Sequence, residues 1–294
     1  METLEDLIKE RKPALGERTI KTYKSTLLTL CSNVFPDVEF SIEAFKEYEP
    51  ILIFLSSYET KKRMRFLSAL IAVEPLEQYK EQMRKDTAEI KDIKPTHEKT
   101  EKQQEAWIEQ NEIVSLFKDM QVQVNAIYKK KHLTIPDLQY IQNYIIIALT
   151  SGIFVKPRRI LDWTAMKIKD FDVEVDNYID NLNFVFNTYK TSKTYKQQIV
   201  EMPKELQTIL KKWIKVNPTN WLLFGSTLEP LTSPQVTARL NKVFGKNASV
   251  NILRHSFLTE KFGGMIETEK ELKETCDQMG TSCNMAKDVY IVPK

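Results

Sequence analysis

Four short stretches carry the side chains best suited to phosphate chemistry. They are "VKPRRILDW" with Arg158 and Arg159, "YKTSKTYK" with Lys190 and Lys193, "NILRHSF" with Arg254, and "AKDVY" ending on Tyr290. A guanidinium binds two phosphate oxygens at once and stays charged, so two convergent arginines make a clamp for a phosphodiester whose transition state gains negative charge. A lysine at a hairpin tip can donate a proton to a leaving oxygen, and a phenol can attack phosphorus. The parts suit strand cleavage by a tyrosine nucleophile. Taken singly, each cation could equally be half of a surface ion pair, and the tyrosine one more packed or surface aromatic.

Other chemistries lack their residues. The chain has only 7 glycines, with neither a G-x-x-x-x-G-K-[ST] phosphate loop nor a G-x-G-x-x-G turn, so ATP or NAD dependence is not expected. The three histidines, His97, His132 and His255, are scattered, and Asp170 with Asp172 does not form a recognisable two-metal arrangement. Cys31, Cys276 and Cys283 have neither an even count nor metal-ligand spacing, which argues against a disulfide framework and a zinc site. No metal or cofactor is expected.

Composition points to a folded, soluble chain of 294 residues, 42% hydrophobic and 28% charged, long enough for two domains. Its longest apolar runs, "ILIFL" and "YIIIALT", are far shorter than the ~18 residues that read as a membrane-spanning helix. The charged start "METLEDLIKERK" has no apolar signal region, so an intracellular location is expected. Net charge is +3, with basic residues gathered between Lys190 and Lys215. Such a stripe permits nucleic-acid binding, and is equally compatible with a solvated lysine face.

Periodicity supplies the elements that must position these groups. "RTIKTYKSTLLTLCSNVF" sets Ile20, Tyr23, Leu27, Leu28 and Leu30 on a helical stripe, and "YETKKRMRFLSALIAV" repeats it with Met64, Leu67, Ile71 and Val73. The first 92 residues therefore read as a helical domain. Lys61, Lys62, Arg63 and Arg65 crowd one half of its second stripe, a face suited to phosphate contacts or to solvent. The polar "KDIKPTHEKTEKQQ" supplies a linker at residues 93–104, and residues 105–294 form a second domain. There the period turns strand-like in "NLNFVFNTYKTSKTYKQQIVEMP". Phe184, Val185 and Phe186 lie in one arm, Ile199 and Val200 in the other, and a polar tip carries Lys190, Lys193 and Lys196. Helices resume with "PKELQTILKKWIKV". The stretches "LRHSFLTEKFGG" and "EKELKETCDQMG" read as two further helices, each closing on glycine. Trp163, Trp213 and Trp221 read as core packing.

Order and offsets together resemble the tyrosine recombinase (phage-integrase) family over essentially the whole chain. That family carries an arginine with an acidic residue at +3 and leucine-like residues at +4 and +7, offsets occupied here by Asp162, Trp163 and Met166 when Arg159 is the reference. Its hairpin lysine matches Lys190, with Lys193 next in line. Its H-x-x-R-H box aligns with "NILRH", giving Arg254. Its last box, L-G-H with a tyrosine nine residues beyond the histidine, aligns with Met279, Gly280, Thr281 and Tyr290. "PRRILDW" and "YKTSKTY" are similar to versions from large DNA viruses, virophages and eukaryotic mobile elements.

The resemblance implies a mainly α fold: an N-terminal helical core-binding domain and a mostly helical catalytic domain with a small antiparallel sheet. It also implies a metal- and ATP-independent recombinase acting through a 3′-phosphotyrosyl intermediate, on double-stranded DNA and as a homotetramer. In a eukaryotic host it would work in the nucleus or wherever the element's DNA resides. Tyr290 would be the nucleophile, with Arg159, Arg254 and Lys190 as its partners. Two positions depart from the pattern, because the family's histidines are Asn251 and Thr281 here. An amide can hydrogen-bond a phosphate oxygen but cannot act as a base. His255 is expected to pack behind the pocket. The tail "IVPK" is shorter than the family's docking element, which implies a truncated chain or a different assembly. A type IB topoisomerase and a catalytically decayed DNA-binding relative share most of these features.

Overall fold

In the computed structural model the described residues are 3–38, 40–92 and 99–290. They form two units, Met1–Glu98 and Lys99–Lys294. Among the described residues no helix is long and apolar enough to cross a membrane.

The first unit is helical throughout: α1 Leu4–Arg11, α2 Glu17–Val34, a 3-10 turn Ile42–Lys46, α3 Tyr48–Ser56, α4 Thr60–Val73 and α5 Glu77–Asp92. Thr3 and Asp6 close a capping box that starts α1 by satisfying orphan backbone N–H groups. The stripe of α2 buries Ile20, Leu27, Leu30 and Cys31. Leu28 is exposed instead, one residue round the helix from Leu27. These side chains meet Leu67, Leu70 and Val73 of α4 in one core, and the buried Tyr79 hydroxyl donates to the Phe45 carbonyl at 2.7 Å.

Arg63 departs from the phosphate-contacting expectation. Its Nε and Nη2 donate to both oxygens of Asp86 at 2.7–3.1 Å, and its Nη1 donates to the Tyr58 carbonyl at 3.0 Å. Asp86 is 1% exposed, so this forked bond between α4 and α5 is structural. Lys61, Lys62 and Arg65 stay exposed, with the Lys62 ammonium 3.8 Å from the Tyr58 ring centroid.

The second unit begins with α6 Glu101–Ala106, α7 Gln110–Ile127 and α8 Ile135–Thr150. Part of the expected linker, residues 93–98, lies outside the described residues, and the remainder is partly helical. Thr100 and Gln103 form a capping box there, so a polar run too short to show periodicity still nucleates a turn and a half. Helix α8 is buried on nearly every face, as an apolar all-round helix must be, and makes the spine of this unit's core.

Beyond α9 Ile160–Thr164 comes the sheet: β1 Met166–Lys167, β2 Asn177–Asp180, β3 Asn183–Phe186 and β4 Gln198–Glu201, in the order β1-β2-β3-β4. The hairpin β3–β4 pairs Phe184 with Val200 and Val185 with Ile199. The sheet is mixed and not purely antiparallel, because β1 joins β2 in parallel. A two-residue strand offers no alternation from which that could be read. A short helix, α10 Ser192–Tyr195, sits in the hairpin tip.

Four helices follow: α11 Lys204–Val216, α12 Ser233–Phe244, α13 Val250–Met279 and α14 Cys283–Met285, ending in a π-helical turn Ala286–Tyr290. Helix α13 is a single 30-residue rod where two helices were expected. Gly263 and Gly264 lie inside it, and only Gly280, at φ +68°, caps it in the left-handed region. Interior glycines cost roughly 1 kcal/mol each without forcing a stop, and only the left-handed cap ends a helix.

The Arg63–Asp86 pair yields a test in the first unit. Arg63→Ala strands a buried carboxylate and is expected to lower stability by about 3–5 kcal/mol, read from urea unfolding of the full chain. A loss below about 1 kcal/mol would mean the pair behaves as a surface contact.

Candidate active site

One glycine lets the turn ahead of Arg158 and Arg159 meet the helix that carries Arg254. Helix α8 ends at Ser151, and Gly152 follows at φ +92°, a region that L side chains rarely adopt. A Cβ on Gly152 would overlap the ring of Phe257, so a side chain of α13 packs directly on this turn. Phe257 stands one helical turn after Arg254, and the segment after Gly152 carries Arg158 and Arg159. The Arg254 Nε donates to the Pro157 carbonyl at 3.2 Å, which fixes one guanidinium edge against the segment bearing the other two.

Asp162 organises the cations around it. It is 2% exposed, near the start of α9, and accepts from the Arg158 Nε at 2.9 Å. Burial pushes its carboxyl above the usual carboxylate range, while the charges of Arg158, Arg159 and Arg254 pull it down. The adjacent Trp163 is buried edge-on against Phe184 and Phe186, with centroids at 5.0 and 5.3 Å, and so anchors α9 to β3. Asn177 ties the same region together by donating to the carbonyls of Asp162 and Thr188 at 3.3 and 2.8 Å.

The two neighbouring arginines have different surroundings. Arg158 is held on two sides: besides Asp162 it donates from Nη1 to the Gln198 Oε1 at 2.7 Å, and its guanidinium lies 3.8 Å from the Phe186 ring centroid and 5.0 Å from that of Tyr189. Arg159 is the N-cap residue of α9 and, among the described residues, makes no side-chain hydrogen bond or ion pair. Arg159, Arg254, Arg158 and Asp162 line one open pocket of about 290 Å³ together with Tyr195 and Thr191 of the hairpin tip. Two half-buried guanidinium groups with unused N–H donors, beside a carboxylate-held third, can bind the non-bridging oxygens of a phosphate group. A larger cavity of about 490 Å³ between α7, α8 and α11 is lined chiefly by apolar groups such as Phe117 and Phe154, and holds none of these arginines.

The remaining candidates fall into three places. Lys190 is exposed between Tyr189 and Thr191, both of which line the pocket, though it does not itself line it. Lys193 and Lys196 are exposed on the same tip. Asn251 is exposed on the first turn of α13, and Thr281 is half-buried just after the Gly280 cap. His255 does not pack behind the pocket; it is exposed, because one residue along a helix from the half-buried Arg254 turns the side chain by about 100°. Tyr290 closes the π-helical turn, and its side chain lies outside the described residues. That turn is tied back to α13 by the Lys287–Glu269 ion pair at 3.4 Å. Among the described residues no group of three or more His, Cys, Asp or Glu side chains is placed to hold a metal ion.

Sequence reading missed Gly152 and Gln198. The positive φ that makes Gly152 obligatory has no sequence signature beyond the residue itself. Lys196 was read only as a cation, yet it has φ +55° and ψ −161°, close to a region that is essentially glycine-only.

Two substitutions test this construction. Gly152→Ala is expected to cost about 2–4 kcal/mol in urea unfolding, from the ring overlap and the left-handed backbone together. Lys196→Gly should raise stability by about 1–2 kcal/mol, since the strained backbone becomes an ordinary glycine conformation. A Gly152→Ala protein as stable as the parent would show that α13 does not meet this turn closely.

No protein-family model matches the chain, and no curated protein is significantly similar to it in sequence. Several solved structures overlap it. A lambda integrase (75–356) dimer bound to a COC′ core site is 12% identical, with 85% of this chain and 86% of that one covered and a TM-score of 0.46. XerA recombinase is 16% identical, over 87% of this chain and 82% of that one, at a TM-score of 0.35. A lambda integrase tetramer bound to a Holliday junction is 13% identical, over 86% and 71%, at 0.45. At this level of overlap, the chemistry of the chain rests on the residues of its own pocket.

Proposed function

We propose that this chain is a DNA strand-cleaving and strand-joining enzyme of the tyrosine recombinase type. The observation that carries the reading is the division of labour in the pocket: Arg158 is tied to buried Asp162 and Gln198, leaving Arg159 and Arg254 with free donors. Motif order supports it, because Tyr290 stands at the offset, and Lys190 at the place near the hairpin tip, that the family resemblance implies.

In this mechanism Arg159 and Arg254 hold the non-bridging oxygens of a backbone phosphate and stabilise the charge that builds on them during in-line attack. The Tyr290 phenolic oxygen forms a bond to phosphorus, its proton leaves to water, and the bond from phosphorus to the 5′ oxygen breaks. Lys190 gives that oxygen its proton. Bond energy is retained in the 3′-phosphotyrosyl link, so the 5′-hydroxyl of a partner strand reverses the step without ATP. Double-stranded DNA is the substrate, and strand exchange between two duplexes calls for a homotetramer. Exposed Lys61, Lys62 and Arg65 supply sequence-independent phosphate contacts, with Lys193 and Lys196 at the hairpin tip.

Covalent trapping tests the reading. Incubation with nicked duplexes is expected to give a denaturation-resistant protein–DNA adduct that disappears in Tyr290→Phe, with duplex affinity retained in the variant. Affinity should fall by orders of magnitude between about 50 and 200 mM salt. Salt-sensitive binding without an adduct on any bound duplex would instead identify a decayed DNA-binding relative. Relaxation of supercoiled plasmid without recombinant products would identify a topoisomerase.

A further inference from the structure

The hairpin tip brings a second phenol to the arginine pocket. Tyr195 ends α10 and lines the same pocket as Arg159 and Arg254. It is 63% exposed, and its hydroxyl has no hydrogen-bond partner among the described residues. An exposed tyrosine is commonplace alone, but this one lines the arginine pocket and adjoins a strained backbone. The next residue, Lys196, is locked in its strained conformation from both sides. Its N–H donates to the Ser192 carbonyl at 2.8 Å, and its own carbonyl accepts from the Tyr189 hydroxyl at 2.6 Å. The Tyr189 ring lies in turn beneath the Arg158 guanidinium. A continuous set of contacts therefore runs from Asp162 through Arg158 and Tyr189 to the backbone of Lys196, the residue next to Tyr195. Backbone strain retained by this many contacts collects where geometry serves a site.

We infer that Tyr195 is a further catalytic residue, whose hydroxyl donates a hydrogen bond to a non-bridging oxygen of the phosphate held by Arg159 and Arg254. The inference rests on the recombinase reading above. A neutral O–H adds what the cations cannot: a donor that brings no further positive charge and orients the phosphate between two guanidinium groups. Its benefit grows as the phosphoryl oxygens gain charge, so its removal slows cleavage more than it weakens duplex binding.

Tyr195→Phe is the decisive variant, since it keeps the ring and deletes only the donor. Two measurements separate this inference from the function on which it rests. In the first, inorganic phosphate is titrated into the DNA-free full chain carrying ring-labelled tyrosine, followed by NMR. The Tyr195 ring signal, assigned by its loss in the variant, is expected to shift, and phosphate affinity to fall about tenfold in Tyr195→Phe. In the second, adduct formation on nicked duplex is timed and the adduct-bearing peptide mapped. The rate should fall about 10²-fold with duplex affinity unchanged, and the adduct should remain on the Tyr290 peptide. Unchanged phosphate affinity together with an unchanged adduct rate would overturn the role of Tyr195 and leave the recombinase reading standing. An adduct on the Tyr195 peptide would overturn both, making Tyr195 the nucleophile. If the parent chain forms no adduct at all, the recombinase reading fails and the phosphate titration alone decides whether Tyr195 belongs to the anion site.

Discussion

A buried carboxylate beneath a cluster of arginines is the constraint on which this site depends. Three guanidinium groups near one another repel, and a pocket that gathered them without a counter-charge would splay open. Asp162 provides that charge from the buried side, where the surrounding low dielectric strengthens the attraction and also raises its carboxyl above the usual range. It does so unequally. By taking the Arg158 Nε it commits one arginine to structure, and the neighbouring Arg159 is left facing the pocket. Adjacent residues of the same type thus acquire different surroundings, Arg158 bonded to Asp162 and Gln198 and Arg159 to neither.

Everything else in the second unit serves to keep that carboxylate and those arginines in register. Trp163 pins α9 to the aromatic side of β3, so Asp162 cannot move without disturbing the core. Gly152 lets α13 come close enough for Arg254 to reach the Pro157 carbonyl. Gln198 and Tyr189 tie the hairpin to Arg158, so the tip that bears Lys190 is coupled to the carboxylate through side-chain contacts.

Much of this was legible in the sequence, for identifiable reasons. Helical stripes and the β3–β4 hairpin are strong periodic signals, and they appear at the expected residues. Arg159 and Arg254 were singled out through the offsets of the family resemblance, and they line one pocket, while their part in catalysis belongs to the proposal. Pairings decided in three dimensions could not be read. Arg63 looked like its exposed neighbours Lys61 and Lys62 until Asp86, 23 residues away, claimed it. The continuity of α13 through two glycines depends on the absence of any competing cap, and His255 is placed by a helical rotation that its adjacency to Arg254 conceals. Backbone values such as those of Gly152 and Lys196 leave no trace in residue order.

The central claim is that the two adjacent arginines divide structure from phosphate binding, and a crystal structure of the chain with duplex DNA tests it most directly. One backbone phosphate is expected between Arg159 and Arg254, within hydrogen-bond distance of both, with Arg158 still on Asp162 and Gln198. A phosphate held by Arg158 with Asp162 released, or a duplex bound with no phosphate in the pocket, would contradict it.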